Sequence, residues 1–345
     1  MQSPQHILDG LRVLDFTQVL AGPTTTRLMA ELGADVIKLE LAPSGDFARS
    51  LPFFNEQGRS AYHVQQNRGK RSLCLDAKSE EGRKIITALI GHADVVIQNF
   101  APGIIARLGF PWEKVSEINP RAVMCSLSAF GQDGPLAHLP GYDYIAQAYA
   151  AVTHMIGDPD AAPSFPMLGM GDVMTGVHAA AAIGFALLYR ERSGRGQHLD
   201  ISLLDSYFHC HDVNVQLYSA SRGAIEPNRS GSHHYAVSPL GLFKGKDRYL
   251  FIIALDHQWP LLCKAIGRPE LADDARYDTN AKRSERMEDV VALIEGWLAS
   301  TPDDEAALRC LEDARVPCAP VLSIAEAVAH PHLRQRKTVR TIEDR

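Results

Sequence analysis

Residues 11–40 read LRVLDFTQVLAGPTTTRLMAELGADVIKLE. The apolar run at 11–16 predicts a buried strand, residues 23–32 predict a helix, and residues 35–40 predict a second strand. A proline fits the first turn of that helix and a glycine follows its last residue, as is typical of helix ends. Strand, helix and strand within this length form a βαβ unit, which predicts two parallel strands in one sheet.

The same alternation of strands and helices continues along the first half of the chain. Further predicted elements are a helix at 79–91 with Ser79 as its cap, and strands at 94–97 and 121–127. This order predicts an α/β fold with a mostly parallel sheet and helices on both faces. The G-x-G-x-x-G fingerprint of nicotinamide-binding proteins is absent after the first strand.

Composition narrows the class of protein. A chain of 345 residues predicts two domains, and a net charge of −6 gives no basic footprint for nucleic acid. We expect no membrane span, because no long apolar stretch is free of charge. The six cysteines are scattered without a C-x-x-C pair, so neither a zinc site nor a disulfide framework is expected, and a reducing cytoplasm fits best.

The pattern changes beyond residue 196. A strand is predicted at 197–203 and a helix at 204–220, and a smaller α+β region follows them. We predict a large domain at 1–220, a polar linker at 221–232 and a small domain at 233–325.

Residues 167–176 read MLGMGDVMTG and precede an Ala-rich helical run at 173–192. The glycines let the backbone bend and let a ligand approach the one carboxylate, that of Asp172. The N–H groups at a helix start favour an ionised carboxylate, which can act as a nucleophile in acyl transfer. A plain helix cap is the alternative, since Asp is a favoured N-cap.

Read in order, several segments make the chain resemble the type III CoA-transferase family, which includes formyl-CoA transferase, carnitine-CoA transferase and α-methylacyl-CoA racemase. The matching segments are LDGLRVLD (8–15), AGP (21–23), LGADVIKLE (32–40), NRGKRS (67–72), NFAPG (99–103), GD with TG (171–176), SGRGQ (193–197) and VPCAPV (316–321). The resemblance implies a large Rossmann-like domain, a small domain and an interlocked homodimer. It also implies that two linkers join the domains, so residues 326–345 are expected to form a second linker at the start of a return to the large domain.

The resemblance also implies coenzyme A or acyl-CoA as a substrate, with no permanently bound cofactor and no metal. Phosphates require lysine or arginine, and adenine requires an apolar slot. The expected CoA-binding residues are Lys38, Arg68, Arg71, Leu75, Lys78, Asn99, Phe100 and Arg107. A solvated loop is the alternative for Arg68, Lys70 and Arg71. Leu41 stands where formyl-CoA transferase has an arginine.

The family places its catalytic carboxylate at Asp172. The resemblance implies that this carboxylate attacks an acyl-CoA thioester and forms an aspartyl intermediate, from which CoA passes to a carboxylic acid acceptor. The racemases of the family pair the same Asp with a His, and Tyr142 occupies that His position here. A phenol with a pKa of about 10 shuttles protons poorly at neutral pH, so a CoA-transferase is favoured. A racemase or epimerase, with Tyr142 as a packing aromatic, and a non-catalytic CoA-binding protein remain alternatives.

Three further residues are expected to support the site. They are Gly171, Leu20, and Gly231 in the loop before His233 and His234. That loop matches a mobile glycine-rich loop of formyl-CoA transferase, although a polar linker explains its composition equally well. Leu20 replaces a glutamine of the formyl enzyme, so formate and oxalate are not the expected acids.

Overall fold

The computed structural model describes residues 6–341. The chain divides into two compact units, the first ending at His154 and resuming over Phe165–Pro227, the second comprising Met155–Ser164 and the chain from Asn228 onward. Residues 1–5 of the predicted large domain and 342–345 of the predicted second linker lie outside the described part.

A six-stranded parallel sheet organises the first unit, in the order β3-β2-β1-β4-β5-β6. Its strands are β1 (Arg12–Asp15), β2 (Asp35–Leu41), β3 (Arg71–Leu75), β4 (Val95–Gln98), β5 (Val123–Ser128) and β6 (His198–Ser202). The expected parallel α/β sheet is therefore confirmed. The strand order reverses where β1 lies between β2 and β4, and ligands of such sheets bind at the carboxyl ends of these strands.

Nine helices belong to the described part of the first unit. They are α1 (Ala21–Glu31), α2 (Ala61–Asn67), α3 (Glu80–His92), α4 (Ile104–Arg107), α5 (Trp112–Ile118), α6 (Asp143–Tyr149), α7 (Met170–Ser193), α8 (Leu203–Phe208) and α9 (Asn214–Ala220). Ser79 caps α3 as predicted, because its Oγ accepts the Gly82 N–H at 3.0 Å.

The predicted helix at 204–220 is wrong, since the chain forms α8 and α9 with a break between them. His211 lies in the break and is 9% exposed. Its Nε2 is 2.8 Å from the Ala150 carbonyl oxygen, and Asn214 begins the next helix. A contact with a residue sixty positions away therefore accompanies the break, and the local helical pattern gave no sign of it.

Helix α7 packs against the sheet and α1. Ala179, Ile183 and Ala186 belong to the same hydrophobic core as the β1, β4 and β5 side chains. A Cβ at Gly176 would lie 2.6 Å from the Ala21 carbonyl oxygen, so only glycine permits this close approach of α1 and α7.

The apolar character of α7 departs from our expectation. With 24 residues and a mean hydropathy of 1.4, this helix is long and apolar enough to cross a membrane by those two criteria. Its buried face and the ion pair of Arg190 with Asp94 at 2.8 Å instead indicate a core helix of the first unit.

The second unit contains an antiparallel sheet and six helices among its described residues. Its strands are β7 (Leu240–Lys244), β8 (Tyr249–Ile253) and β9 (Cys318–Pro320). Its helices are α10 (Trp259–Ala265), α11 (Asn280–Glu285), α12 (Met287–Ser300), α13 (Asp304–Asp313), α14 (Ile324–Ala329) and α15 (Pro331–Gln335). One core contains Phe243, Trp259 and Ile294.

The division of the chain differs from the predicted boundaries at residues 155–164, which belong to the second unit. The Arg229 guanidinium donates to the carbonyl oxygens of Asp158 and Ala161 at 2.8 and 2.7 Å. The Gly231 N–H donates to the Gly157 oxygen at 2.9 Å. These bonds join two segments that are distant in sequence. Local composition therefore could not predict that residues 155–164 belong to the second unit.

Candidate functional site

Asp172 is the third residue of α7, in the first turn of the helix. The helix begins three residues earlier than predicted, and Gly169 occupies the N-cap position. The alternative that Asp172 is a plain helix cap is therefore wrong. Its carboxyl group is not engaged in holding the helix end, which leaves it available to a ligand.

A second carboxylate, that of Asp143, holds the backbone of Asp172. Asp143 begins α6 and is 7% exposed. Its Oδ2 accepts the Asp172 N–H at 2.8 Å, and its Oδ1 accepts the Tyr207 hydroxyl. The Gln147 amide donates to the same tyrosine oxygen at 3.2 Å. Both Asp143 oxygens thus have partners, and the start of α7 is tied to α6 and α8.

The two glycines before Asp172 allow this close packing. A Cβ at Gly171 would lie 2.1 Å from Cε2 of Tyr207, and a Cβ at Gly169 would lie 2.5 Å from Cδ2 of Leu20. A larger residue at Gly171 would overlap the buried Tyr207 ring, and one at Gly169 would require Leu20 to move. The structure therefore places the predicted support residue Gly171 next to Asp172, and Leu20 next to Gly169, three residues before it.

Burial, and after it the negative charge of Asp143, raise the pKa of Asp172 to about 7. The expectation that the helix start would favour the ionised form is therefore wrong. Loss of water and a like charge together outweigh the partial charges of the N-terminal N–H groups. At neutral pH the carboxyl group lies near the midpoint of its titration, a property common among catalytic acids and bases.

Sequence reasoning missed two residues of this site. Asp143 directly follows Tyr142, and the sequence analysis considered only Tyr142 at this place. Burial, Asp172 and Asp46, in that order, raise the pKa of Tyr62 to about 12, which puts this phenol within electrostatic reach of Asp172. No sequence motif distinguished Tyr62, so only the folded chain could identify it.

Tyr142 immediately precedes Asp143 and is 81% exposed. The role of Tyr142, including the alternative of a packing aromatic, stays a prediction. Gly231 lies in the second unit with a φ of 71°, in the left-handed region that favours glycine.

Lys38 is not available as a CoA-binding residue in this structure. Its side chain is 2% exposed, and its ammonium donates to the Thr17 carbonyl oxygen at 2.6 Å and pairs with Asp46 at 2.8 Å. Asp46 also accepts the Val19 N–H at 3.3 Å. Lys38 is buried because β2 is an inner strand of the sheet. The cation fixes the turn that leads to Leu20 instead of facing a ligand.

The basic segment 68–71 is not a free patch either. Lys70 is buried and bonds Asp15 at 3.2 Å and Asn67 at 2.9 Å, and burial lowers its pKa to about 8 against the opposing pull of Asp15. Arg68 pairs with Glu31, and Arg71 forms a bidentate pair with Asp35. The solvated-loop alternative is therefore wrong for Lys70.

The remaining CoA-binding candidates lie at or next to the carboxyl edge of the sheet. A cavity of about 250 Å³ is lined by Leu41, Ala42, Asp76, Ala77, Lys78 and Leu108. The Leu75 carbonyl accepts the Ala42 N–H at 3.0 Å beside it, and Arg107 is the exposed neighbour of Leu108. A second cavity of about 460 Å³ shares Leu41 and Ala42 and extends to Gln18 and Arg49.

The turn after β4 faces the turn after β1. The Asn99 side chain donates to the Gln18 carbonyl oxygen and accepts the Gln18 N–H, both at 2.8 Å. Phe100 packs partly buried against the core beneath this edge. Neither cavity is lined by Asp172, but Gln18 belongs to the same turn as Leu20, which contacts Gly169.

A metal centre was not expected. Within residues 6–341, no group of three or more His, Cys, Asp or Glu side chains is placed to hold a metal ion.

Replacing Asp172 by Asn should stabilise the protein above neutral pH. The folded pKa of about 7 exceeds the ordinary value of 3.8, so the wild-type protein loses stability as pH rises from about 4 to 7. The asparagine side chain does not titrate. We expect the stability of the variant relative to wild type to grow by about 2 kcal/mol between pH 5 and pH 7. Thermal unfolding at several pH values measures this change.

Asp133→Asn, at an exposed aspartate, is the matched control for loss of one negative charge. A constant difference between Asp172→Asn and wild type over that pH range would contradict the raised pKa.

Comparison with known proteins identifies the family of the chain. The sequence model for CoA-transferase family III matches residues 8–345. The acetyl-CoA:oxalate CoA-transferase of Acetobacter aceti is 37% identical over 336 residues, covering 96% of this chain and 85% of that protein. The succinate–glutarate CoA-transferase of Agrobacterium fabrum is 35% identical over 337 residues, covering 95% and 83%.

Solved structures agree with the sequences. A CAIB/BAIF family protein from Brucella suis superimposes with a TM-score of 0.86 at 35% identity, covering 96% of this chain and 88% of that one. Both of the relatives given above are named as CoA-transferases. The chain therefore belongs to CoA-transferase family III and is a CoA-transferase.

Proposed function

We propose that the protein moves CoA from an acyl-CoA donor to a carboxylic acid through a covalent intermediate on Asp172. The observation that carries this proposal is the carboxyl group itself, which lies in the first turn of α7 without a capping role and with a pKa near 7. A carboxylate of raised basicity is a stronger nucleophile than an ordinary aspartate.

The proposed transfer consists of four steps in which every bond broken is matched by a bond formed. An Asp172 oxygen attacks the thioester carbonyl, the C–S bond breaks, and CoA thiolate leaves an acyl-aspartyl anhydride. The thiolate then attacks the Asp172 carbonyl carbon and releases the donor acid, which leaves an aspartyl-CoA thioester. The acceptor carboxylate attacks the aspartyl-CoA thioester, which forms a second anhydride and releases the thiolate. The thiolate then attacks the acceptor's acyl carbon, which forms the new acyl-CoA and regenerates Asp172. No net proton is exchanged, so no separate acid or base is required.

Asp143 has a positioning role in this proposal. Its hydrogen bond to the Asp172 N–H fixes the first turn of α7, and its charge keeps the nucleophile basic. A racemase would need a second group that carries a proton. Both Asp143 oxygens are occupied by hydrogen bonds from Asp172 and Tyr207, which supports transfer over proton exchange.

For the CoA moiety we propose the carboxyl edge of the sheet. The two adjoining cavities offer room for a nucleotide, Lys78 and Arg107 supply charge for phosphates, and Phe100 supplies an apolar contact. We further propose action in the reducing cytoplasm, which the six unpaired cysteines support.

Hydroxylamine should trap the intermediate. Anhydrides and thioesters of a side chain react with strong nucleophiles, whereas a structural aspartate does not. Incubation with a donor acyl-CoA and hydroxylamine should therefore convert Asp172 to a hydroxamate, detected by mass spectrometry of the peptide containing residues 169–175. Asp133→Asn should label like wild type and Asp172→Asn should not. A protein that turns over without a label at Asp172 would exclude the covalent route.

Asp143→Asn should shift the pH dependence of transfer. Removal of the like charge lowers the pKa of Asp172, so the midpoint of kcat/KM against pH should fall from about 7 toward the acid range. Tyr207→Phe retains the Asp143 charge and is the matched control, in which no downward shift is expected. An unchanged midpoint in Asp143→Asn would contradict the electrostatic role.

We also propose a homodimer, as the family resemblance predicts. An outward stripe of α7 contains Val173, Val177 and Leu188, which are 41%, 50% and 51% exposed, with Phe185 beside them at 74%. An apolar stripe of this length on a helix is typical of a covered surface. A second copy of the chain is the proposed cover.

Sedimentation should therefore show a dimer for the wild-type protein. Leu188→Glu should shift the equilibrium toward monomer, because it places a charge in the covered stripe. Ile85→Glu, at an exposed position of α3, should leave it unchanged. A wild-type monomer at all concentrations would refute the proposal.

A further inference from the structure

The side chains that surround the start of α7 and α6 are apolar and face solvent. Their exposed fractions run from 38% to 90%, and the set comprises Tyr142, Tyr144, Phe165, Met167, Leu168 and Met170. We call this set the apolar mouth. The rings of Tyr144 and Phe165 are in contact, with centroids 5.1 Å apart. The hydrogen bond from the Asp172 N–H to Asp143 brings the starts of α6 and α7 together, and all six residues lie at or just before these two helix starts.

Two carboxyl groups, those of Asp172 and Asp143, lie together at these helix starts. Within residues 6–341, neither Asp172 nor Asp143 forms an ion pair with a lysine or arginine. The cations behind the turn after β1 are already engaged, since Lys38 pairs with Asp46, Lys70 with Asp15 and Arg49 with Glu40. A further negative charge brought to the mouth would therefore meet two carboxylates and an apolar surface.

From this arrangement we infer that the transferred acyl group derives from an apolar monocarboxylic acid. This substrate class differs from the dicarboxylic acids, oxalate and glutarate, for which two of the relatives are named. The inference rests on the proposed function and specifies its substrate class. The reaction consumes one carboxylate of each acid, since that group becomes the thioester or anhydride at Asp172. Only the remainder of the acyl group contacts the apolar mouth.

For pentanoate that remainder ends in a methyl group, and for glutarate it ends in a carboxylate at the same chain length. Burying the methyl group gains the hydrophobic contribution of the mouth. Burying the unpaired carboxylate loses its hydration and adds repulsion from the Asp143 carboxylate. The two acids are therefore a matched pair that differs only in the feature the inference concerns.

The test is isotope exchange of each acid with its own CoA thioester, labelled pentanoate with pentanoyl-CoA and labelled glutarate with glutaryl-CoA. We expect kcat/KM for pentanoate to exceed that for glutarate by at least about 100-fold, given the cost of burying an unpaired charge. Exchange of glutarate that equals or exceeds that of pentanoate would overturn the inference and leave CoA transfer itself established. The rate of hydroxamate formation at Asp172 with each thioester reports the donor half-reaction separately. No label and no exchange with either would refute both proposals.

A charge placed in the mouth should reverse part of the preference. Leu168 is 59% exposed, so Leu168→Arg is compatible with folding. We expect it to lower KM for glutarate and reduce the pentanoate-to-glutarate ratio by about tenfold or more, as a close pairing in a partly buried site would. Ile85→Arg, a matched change on α3, should keep the wild-type ratio. Equal ratios in all three proteins would show that the apolar mouth does not contact the acyl group.

Discussion

The hydrogen bond from the Asp172 N–H to the Asp143 carboxylate is the contact on which the candidate site depends. It joins residues 29 positions apart at 2.8 Å and fixes the first turn of α7 against α6. The same contact places two carboxyl groups side by side in a partly buried region, and burial with the Asp143 charge raises the pKa of Asp172 to about 7. One interaction thus determines both the position and the basicity of the proposed nucleophile. The Tyr207 hydroxyl stabilises the arrangement by donating a hydrogen bond to Asp143, and the Gln147 amide donates one to the Tyr207 oxygen.

A second set of buried charges holds the turn after β1, which contains Leu20. Lys38 and Asp46 form an ion pair at 2.8 Å with both side chains at most 2% exposed, and Asp46 accepts the Val19 N–H. Val19 has a φ of 67°, an uncommon conformation for a β-branched residue. The pair therefore holds the turn in which Leu20 approaches Gly169. Breaking such a buried pair by removing one partner leaves an uncompensated charge, which explains why lysine occurs on an inner strand here.

Local patterns were sufficient for much of the fold. The apolar runs of β1, β2, β4 and β5 and the Ser79 cap of α3 identified the parallel sheet, because strand and helix periodicity are short-range properties. The joint order of motifs identified the family and drew attention to Asp172. Long-range partners could not be predicted. Lys38 and Lys70 resemble phosphate ligands in sequence, yet Asp46 and Asp15 bind them within the protein. Asp143 and Tyr62 became part of the site only when folding brought α6 and α2 to the start of α7.

Direct titration of the Asp172 carboxyl group tests the account most directly. Infrared difference spectra of the wild-type protein against Asp172→Asn, recorded over a range of pH, isolate the carbonyl stretch of this one protonated side chain. The account predicts that the signal disappears with a midpoint near pH 7, as burial and Asp143 require. A midpoint near 4, the ordinary value for an aspartate, would show that the carboxylate is neither desolvated nor opposed by Asp143, and would contradict the central claim.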